Sequence, residues 1–362
     1  MADTSAATGL TVQQWDDKFF MEYLGWNKYS KYFGTTENSI IQVKEDLTKK
    51  SGDSITFALV NRLTGAGVTG SSVLEGNEEA MDSRSHKLTV DQLRNAVRVS
   101  VLQEQFSAIS LRNAAKPVLL DWMMEQVRDE VTDALGSILG VAYGSATEPN
   151  KDIYITDNND RNLFGEDVGN YSAGDHSASL LNIDNTNDQL KSGTISLAKR
   201  RAKLADPQIR PIRVREAGDE EWYVLLCNSL CFRDLQADTV IQQANRDARA
   251  RGLNNPLFTG GDLLYDGVII REIEQIPIDA GAGAGAIDVA PNFLCGAQAV
   301  GVGYAMRSNT VDETFDYSDK KGVAVREIRG IEKLQFGSGA GDLTDLKDHG
   351  VFTIWAAAVA DA

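Results

Sequence analysis

The sequence predicts an α+β protein, because strand-like segments precede and follow one long helical segment instead of alternating with helices. Residues 55–60 and the stretch from Leu88 to Val101 alternate in the manner of strands. Apolar residues recur every three or four positions from Leu120 to Ile138 and indicate the helix. Two apolar runs, 322–336 and 350–360, predict a central sheet formed late in the chain.

The overall composition is that of a globular protein with an acidic surface. The chain has 362 residues, 42% of them hydrophobic, which is enough for a substantial core. Its 36 Lys and Arg against 52 Asp and Glu give a formal charge of -16, which repels nucleic-acid phosphates and anionic lipid. We therefore do not expect a protein that reads DNA sequence.

The amino terminus and the hydropathy predict a soluble protein that is not exported. The first ten residues, MADTSAATGL, lack a charged segment followed by an apolar core. No run approaches the ~18 apolar residues that a membrane span requires. We expect no membrane partner.

The cysteines and histidines do not form a metal-binding pattern. Cys227 and Cys231 lie in an apolar run predicted as a strand, where roughly 13 Å would separate them, and Cys295 is isolated. The three histidines are scattered along the chain, at His86, His176 and His349. We expect buried, reduced thiols, no zinc site and a reducing compartment.

Residues 1–50 are predicted to form an amino-terminal arm. Thr11 and Gln14 have capping-box spacing, and large apolar residues follow at helical intervals until Gly25. The exposed aromatic candidates of this arm are Trp15, Phe19, Tyr23 and Trp26. Such side chains need a surface to pack on, and two surfaces remain open: the protein's own core and a neighbouring subunit.

The stretch NRLTGAGVTGSSVLEGNEE, residues 61–79, contains the G-x-G-x-x-G spacing of a dinucleotide-binding turn at Gly65, Gly67 and Gly70. That motif requires a strand entering the first glycine and a helix leaving the third. Here 61–64 separate the strand from Gly65, and no helical period follows Gly70. Carboxylates also lie where a phosphate would bind, at Glu75, Glu78 and Glu79. We expect a long turn that binds no cofactor and that is either disordered or bound to another molecule.

The middle of the chain changes from a helix to polar sequence. The helix is expected within 102–142, with a kink or a fresh start at Pro117. Residues 143–192 are rich in Asn, Asp, Gly and Ser and predict a polar surface insertion. Neither Asp157 nor Asp184 begins an EF-hand loop, so the carboxylates of this segment do not predict a calcium site.

One dense basic cluster lies on a predicted helix, Ile195–Leu204, and consists of Lys199, Arg200, Arg201 and Lys203. Two interpretations remain open. The cluster is either a solvated helix face or a patch that contacts acidic residues of another copy of the chain. A nucleophile elbow, a P-loop lysine, an HExxH pair and a CxxC pair are absent, so the sequence gives no positive argument for an enzyme.

The order of these segments resembles the major capsid proteins of tailed bacteriophages with the Hong Kong 97-like fold. A narrower similarity, to the capsid proteins of podoviruses typified by coliphage N-four, rests on residues 51–81 and on LTVDQLRNAV. The matching positions are Gly52, Asp53, Leu63, Gly65, Gly67, Val68, Leu74, Gly76, Glu78, Glu79, Val90, Asp91, Gln92 and Arg94. The later segment Phe293–Tyr304 is also similar to that family.

The resemblance implies a division of the chain into functional parts. These parts are an amino-terminal arm (1–50), an extended E-loop (51–101), the spine helix of a peripheral domain (102–142), the polar insertion (143–192), and an axial domain with the remaining peripheral strands (193–362). In this fold the E-loop lies across an adjacent subunit. The E-loop residues implied to do so are Leu63, Gly65, Gly67, Val68, Gly70, Leu74, Gly76, Glu78 and Glu79.

The resemblance also implies partners and a location. Copies of the chain would form hexamers and pentamers that close into an icosahedral shell around double-stranded DNA, without sequence-specific binding. A scaffolding protein and a portal, with or without a decoration protein, would be further partners. The protein would be assembled in the host bacterial cytoplasm and reside in the virion. The alternatives are an encapsulin-like compartment shell, which shares the fold, and, less favoured, a nucleotide-dependent oxidoreductase.

Overall fold

The computed structural model describes residues 28–48, 52–60, 67–70, 73–79, 83–106, 111–214, 220–249, 263–337 and 345–360. The helices of these ranges are α1 (Val101–Phe106), α2 (Leu111–Gly136), α3 (Glu148–Asp157), α4 (His176–Leu181), α5 (Ser192–Leu204), α6 (Ser229–Ala237) and α7 (Thr239–Arg249). None of the described helices is long and apolar enough to cross a membrane.

The strands alternate irregularly with these helices, and the two longest lie in the last quarter of the chain. They are β1 (Phe33–Gly34), β2 (Ile41–Lys44), β3 (Ser54–Val60), β4 (Ser83–Thr89), β5 (Asp91–Ser100), β6 (Asn162–Phe164), β7 (Ile212–Val214), β8 (Glu220–Cys227), β9 (Leu263–Tyr265), β10 (Val268–Glu272), β11 (Val289–Cys295), β12 (Val300–Phe315), β13 (Lys320–Lys333), β14 (Gln335–Phe336), β15 (Lys347–Asp348) and β16 (Val351–Ala357).

A five-stranded sheet has the order β1-β2-β12-β13-β5. Its centre is the long antiparallel pair β12 and β13, and β5 pairs antiparallel with β13 along its whole length. Helix α2 packs on this sheet through one apolar face that includes Leu119, Met123, Val127 and Val131. The predicted helix is thus present as α2, with Pro117 inside it, and α1 precedes it as a separate short helix.

The described part of the amino-terminal arm packs on its own chain. Tyr29 and Tyr32 are buried in the same core as α2. The Tyr29 hydroxyl lies 2.8 Å from Thr132 Oγ1 of that helix, which fixes the segment to α2. The arm residues Trp15, Phe19, Tyr23 and Trp26 lie outside the described residues.

The second large sheet has the order β6-β16-β11-β8-β10-β9, and β7 pairs with β8 at its side. Parallel and antiparallel pairs are mixed, as expected for an α+β fold. Helices α5 and α6 bury apolar residues against it in a core of their own. This sheet belongs to the segment predicted as the axial domain, although strand β6 comes from the preceding segment.

Segment 143–192 corrects a sequence-based prediction, because it is not a polar surface insertion. It forms α3, β6 and α4, and Tyr154, Ile155 and Phe164 are buried. Strand β6 pairs in parallel with β16, close to the end of the chain. The few apolar residues of the segment obtain their core from that distant strand, so no periodicity within the segment reveals their burial.

The cysteines are buried and free, as predicted, but their geometry differs from the predicted one. Cys227 ends β8, whereas Cys231 lies in α6, so one strand does not contain both. Asn228 separates them: its side-chain oxygen accepts from the Leu230 N–H and caps α6. Burial raises the pKa of the Cys295 thiol to about 12, which keeps this thiol protonated at neutral pH.

Candidate intersubunit surfaces

Strands β3 and β4 form an antiparallel hairpin whose base is fixed to its own chain. Ile55 pairs with Leu88 in this hairpin, and both are buried. Together with Phe57 they form a small core with Leu334 and Phe336. The predicted strand at residues 55–60 is therefore present as β3. Its partner β4 begins at Ser83, within the predicted loop, whereas most of the strand predicted from Leu88 to Val101 is β5 and pairs with β13.

Glycines on the five-stranded sheet allow the hairpin base to lie close to it. A Cβ atom at Gly301 would lie 2.9 Å from Cζ of Phe57, and one at Gly303 would lie 2.7 Å from Cδ1 of Ile55. At these distances any larger residue would displace the hairpin. The base of the hairpin is thus held on β12 of the same chain by close apolar contact.

A polar contact adds to this attachment. His86 of β4 makes two close contacts. Its Nδ1 lies 3.1 Å from the carbonyl oxygen of Gln335, and its Nε2 lies 3.2 Å from a carboxylate oxygen of Glu332. Nε2 lies close to this carboxylate without hydrogen-bond alignment. Burial alone would raise the pKa of Glu332, but the contacts with His86 and with Thr89 hold it below its usual value.

The end of the hairpin is exposed in its described parts, 67–70 and 73–79, apart from the half-buried Val68. Gly70 and Gly76 have positive φ angles of 73° and 88°, which β-carbon-bearing residues rarely adopt. We define residues 73–79 as the acidic tip, because they include three exposed glutamates at Glu75, Glu78 and Glu79. Val73 and Leu74 of this tip are 67% and 61% exposed.

Of the residues predicted for the E-loop contact, Gly67, Val68, Gly70, Leu74, Gly76, Glu78 and Glu79 lie in these described parts of the hairpin end, whereas Leu63 and Gly65 lie outside the described residues. No helix follows Gly70 in 73–79, so the described part of the stretch lacks the helix amino terminus that a dinucleotide site requires.

The predicted basic cluster lies on α5, and we call it the basic helix group. Lys199 Nζ contacts Asp266 Oδ1 at 3.0 Å, and Lys203 Nζ contacts Glu221 Oε2 at 3.3 Å. Arg201 donates to the carbonyl oxygens of Asn162 and Asn159 at 2.9 and 2.7 Å. Three of the four predicted residues are therefore bound within their own chain.

The fourth member of the group, Arg200, is exposed and forms no hydrogen bond or ion pair with a residue that the structure describes. The predicted contact of this group with another copy is not visible in a single chain and stays a prediction.

A second group of basic side chains lies on the five-stranded sheet, and we call it the basic face. It consists of Arg94 and Arg98 on β5 and Arg326 on β13, all three of them exposed. Leu93 and Val97 of β5 pack toward the core, so the arginines, which alternate with them, point to the opposite face of the sheet. This alternation is visible in the sequence, but the position of Arg326 beside them requires the strand register.

An acidic cluster at the start of α4 is the one group in the described ranges whose ligand atoms are close enough to hold a metal ion. Oxygens of Glu148, Asp152 and Asp175 lie within 4.8 Å of one another. Two of these side chains already accept from the first turn of α4, Asp152 from the His176 N–H and Asp175 from the Ala178 N–H. Helix capping accounts for the proximity of Asp152 and Asp175.

Comparison with known proteins identifies the family. A family described as phage capsid protein matches residues 3–360. The chain belongs to this family. It is similar to the major capsid protein of Pseudomonas phage KPP25, with 29% identity over 370 residues that cover 95% of the chain and 94% of the relative.

Solved capsids agree with this family in fold. The structure of the capsid asymmetric unit of cyanophage Pam1 is similar over 100% of both chains, with a TM-score of 0.81 and 34% identity. The capsid of Ralstonia phage GP4 is similar over 93% of this chain and 92% of that one, with a TM-score of 0.76 at 24% identity.

These findings confirm two predictions. The chain has the Hong Kong 97-like α+β fold of the phage capsids, and it is a major capsid protein of a tailed phage. The encapsulin-like alternative is not better supported by any of the matches. The narrower similarity to the coliphage N-four group stays a prediction.

Proposed function

We propose that this capsid protein assembles with copies of itself as hexamers and pentamers that close into an icosahedral head around double-stranded DNA. The observation that carries the proposal is the similarity over the full length of both chains to the Pam1 capsid subunit. A subunit that matches a shell subunit from end to end has the parts that such a lattice needs. Its role is structural rather than catalytic.

The hairpin supports a lattice role for residues 51–101 as the E-loop. Its base is buried against β12, whereas Val73 and Leu74 at its end have no core of their own. Exposed apolar residues on a projecting segment are typical of a surface that another protein covers. In the assembled head the end of the hairpin lies across an adjacent subunit.

The remaining parts of the chain have matching proposed roles. Residues 1–50, with Trp15, Phe19, Tyr23 and Trp26, form an arm that contacts a neighbouring subunit. Residues 102–142 form the spine of a peripheral domain with the five-stranded sheet. Residues 193–362 supply the axial domain and the long strands of the peripheral domain.

The acidic composition suits a shell around packaged DNA. A formal charge of -16 per chain prevents strong adsorption of the genome to the inner wall. Assembly in the host cytoplasm with a scaffolding protein, a portal and, where present, a decoration protein completes the proposal.

Replacement of the hairpin end tests the proposal. An Asn-Gly turn in place of residues 63–81 leaves β3 and β4 paired, because Ile55 and Leu88 remain buried at the base. We expect the variant to fold, as measured by circular dichroism, but to form no closed shells in sedimentation and negative-stain microscopy. Closed shells from this folded variant, or an intact chain that stays monomeric with and without scaffold, would contradict the proposal.

A further inference from the structure

A fully buried imidazole in segment 143–192 has no hydrogen bond that would explain its burial. The His176 side chain is 1% exposed. It lies among three aromatic rings, with centroid distances of 5.8 Å to Tyr143, 6.1 Å to Phe164 and 5.1 Å to Trp355. Neither ring nitrogen forms a hydrogen bond with a described residue, and Nε2 is enclosed. A phenylalanine ring would pack here without the cost of an unpaired buried polar group.

The Nδ1 atom of this imidazole faces the acidic cluster at the start of α4. It lies 3.9 Å from Oε1 of Glu148, which is too long for a hydrogen bond. Two metal–ligand bonds of about 2.1 Å span at most ~4.2 Å, so this separation suits a metal ion bound by both atoms. Burial lowers the pKa of His176 to about 4, so the ring is neutral at neutral pH and one nitrogen has a lone pair available for a metal.

The three carboxylates of the cluster supply the remaining ligands. Their oxygens lie within 4.8 Å of one another. Asp152 and Asp175 each use Oδ1 to accept from the first turn of α4, and Oδ2 of each has no described donor. Capping of α4 does not explain Glu148, which lies four residues before Asp152 on the same face of α3 and repels it. The Glu148 side chain is 46% exposed and has room to approach the other ligands.

The charges around the cluster also favour a cation. Lys151, the basic side chain beside it, has its Nζ 4.2 Å from the ring centroid of Tyr143 and 4.0 Å from Oε2 of Glu148. One lysine at that distance from a single carboxylate does not neutralise three of them. A divalent cation together with this lysine matches the three negative charges.

On these grounds we propose that the acidic cluster and His176 Nδ1 together bind one divalent transition-metal ion such as Zn²⁺. Imidazole with carboxylates is a ligand set of Zn²⁺ and Mn²⁺, whereas Ca²⁺ and Mg²⁺ take oxygen ligands. The ion joins α3 to α4 and so fastens the part of segment 143–192 that packs on Trp355. The sequence shows no metal pattern because the ligands come from two separate helices.

Metal titration of the full-length, unassembled subunit tests the site. After a chelator has removed bound metal, calorimetry should show one saturable equivalent of Zn²⁺ per chain, which Ca²⁺ at the same concentration does not displace. Zn²⁺ at ~100 times its dissociation constant should raise the Tm of the subunit by about 3 °C.

Two ligand variants and a control locate the ion. Glu148→Gln removes an exposed ligand, and His176→Phe keeps an aromatic ring in the buried position. We expect each variant to bind Zn²⁺ roughly tenfold or more weakly and to lose the Tm shift. Glu166→Gln changes an exposed glutamate of the same segment outside the cluster and should leave both unchanged. In metal-free buffer His176→Phe should be no less stable than the unaltered chain, because it removes an unpaired buried polar group.

The results that overturn the inference are distinct. They are the absence of a saturable Zn²⁺ equivalent in the folded unaltered chain, and equal affinity in both ligand variants, which would place the ion elsewhere. A loss in Glu148→Gln but not in folded His176→Phe, or Ca²⁺ binding as tight as Zn²⁺ binding, would mean an oxygen-only site and would also overturn it. If His176→Phe does not fold, Glu148→Gln against Glu166→Gln decides. None of these results depends on assembly, so the proposed function is tested separately.

Discussion

The basic helix group and the basic face differ in how their charges are used. Lys199 and Lys203 of α5 bind carboxylates of their own chain, and Arg201 binds two carbonyl oxygens. Arg94 and Arg326 of the face oppose each other without a described carboxylate partner. Most side chains of the basic helix group are thus paired within their own chain. The basic face has no such described partner and is available to another molecule.

The difference follows from where each element lies. Helix α5 packs beside the turn at Asp266 and the start of β8, so its long side chains reach oxygens on both neighbours. Strand β5 is the end strand of its sheet as described, and its outward side chains lie beside those of β13. A dense run of basic residues in a sequence therefore does not show which of them are unpaired, because the fold decides which oxygens lie beside each side chain.

The largest expected effect comes from an arginine on the other face of β13. Arg329 is buried and binds Glu327 at 2.7 Å and Glu130 of α2 at 2.8 Å. Its replacement by Met removes the hydrogen-bonded charge partner of the buried Glu327, and we expect a loss of ~3–5 kcal/mol in the free energy of unfolding. Urea unfolding of unassembled subunits measures it.

Arg326→Met, three residues earlier on the exposed face, is the matched control and should not lower that free energy, because it removes the repulsion from Arg94. Equal losses in the two variants would mean that the exposed face is also bound within the chain.

A pH-dependent effect of similar origin is expected at Glu327. Burial raises the pKa of Glu327 to about 7. Arg329 only partly offsets this increase, because it also binds Glu130. The folded state keeps this proton while the unfolded state releases it, so the free energy of unfolding falls as pH rises from about 4.5 to about 7 and then levels off. Glu327→Gln should remove up to about 3 kcal/mol of this dependence.

The exposed Glu313→Gln of β12 is its control and should keep the pH dependence unchanged. A Glu327→Gln variant with the same pH profile as the unaltered subunit would show that Glu327 is ionised throughout this range.

Within the basic helix group, substitutions of Arg201 and Arg200 should differ in their effect on stability. Arg201→Met removes two hydrogen bonds from a charged donor, and we expect a loss of about 2 kcal/mol in the free energy of unfolding. Arg200→Met should cost less than ~0.5 kcal/mol. Thermal or urea unfolding of both variants side by side decides it, and equal losses would contradict the assigned partners.

The smallest effect should have the opposite sign. Arg94→Thr removes the repulsion from Arg326, so we expect the unassembled subunit to become more stable by ~0.2–1 kcal/mol. The gain should shrink as salt screens the two charges. Gln92→Thr on the same face of β5 is the control, and a loss of stability specific to Arg94→Thr would show that the arginine has a partner in its own chain.

Local patterns in the sequence predicted the elements that depend on local periodicity. Strand β3, the long helix α2 and the helix α5 are present because their apolar residues repeat within one element. Strand β4 has only one apolar residue, Leu88, and most of it was predicted as loop. Segment 143–192 could not be predicted in this way, since Phe164 is buried only by pairing of β6 with the distant β16. The basic face was missed for the same reason: Arg326 reaches Arg94 only through strand register.

Electron cryomicroscopy of shells assembled from the unaltered chain tests the central claim most directly. The account predicts that residues 73–79 of one subunit lie across an adjacent subunit, which covers Val73 and Leu74. It also predicts that Lys199 and Lys203 keep Asp266 and Glu221 of their own chain as partners. Shells in which residues 73–79 contact no adjacent subunit, while the lysines bind a neighbouring copy, would contradict it.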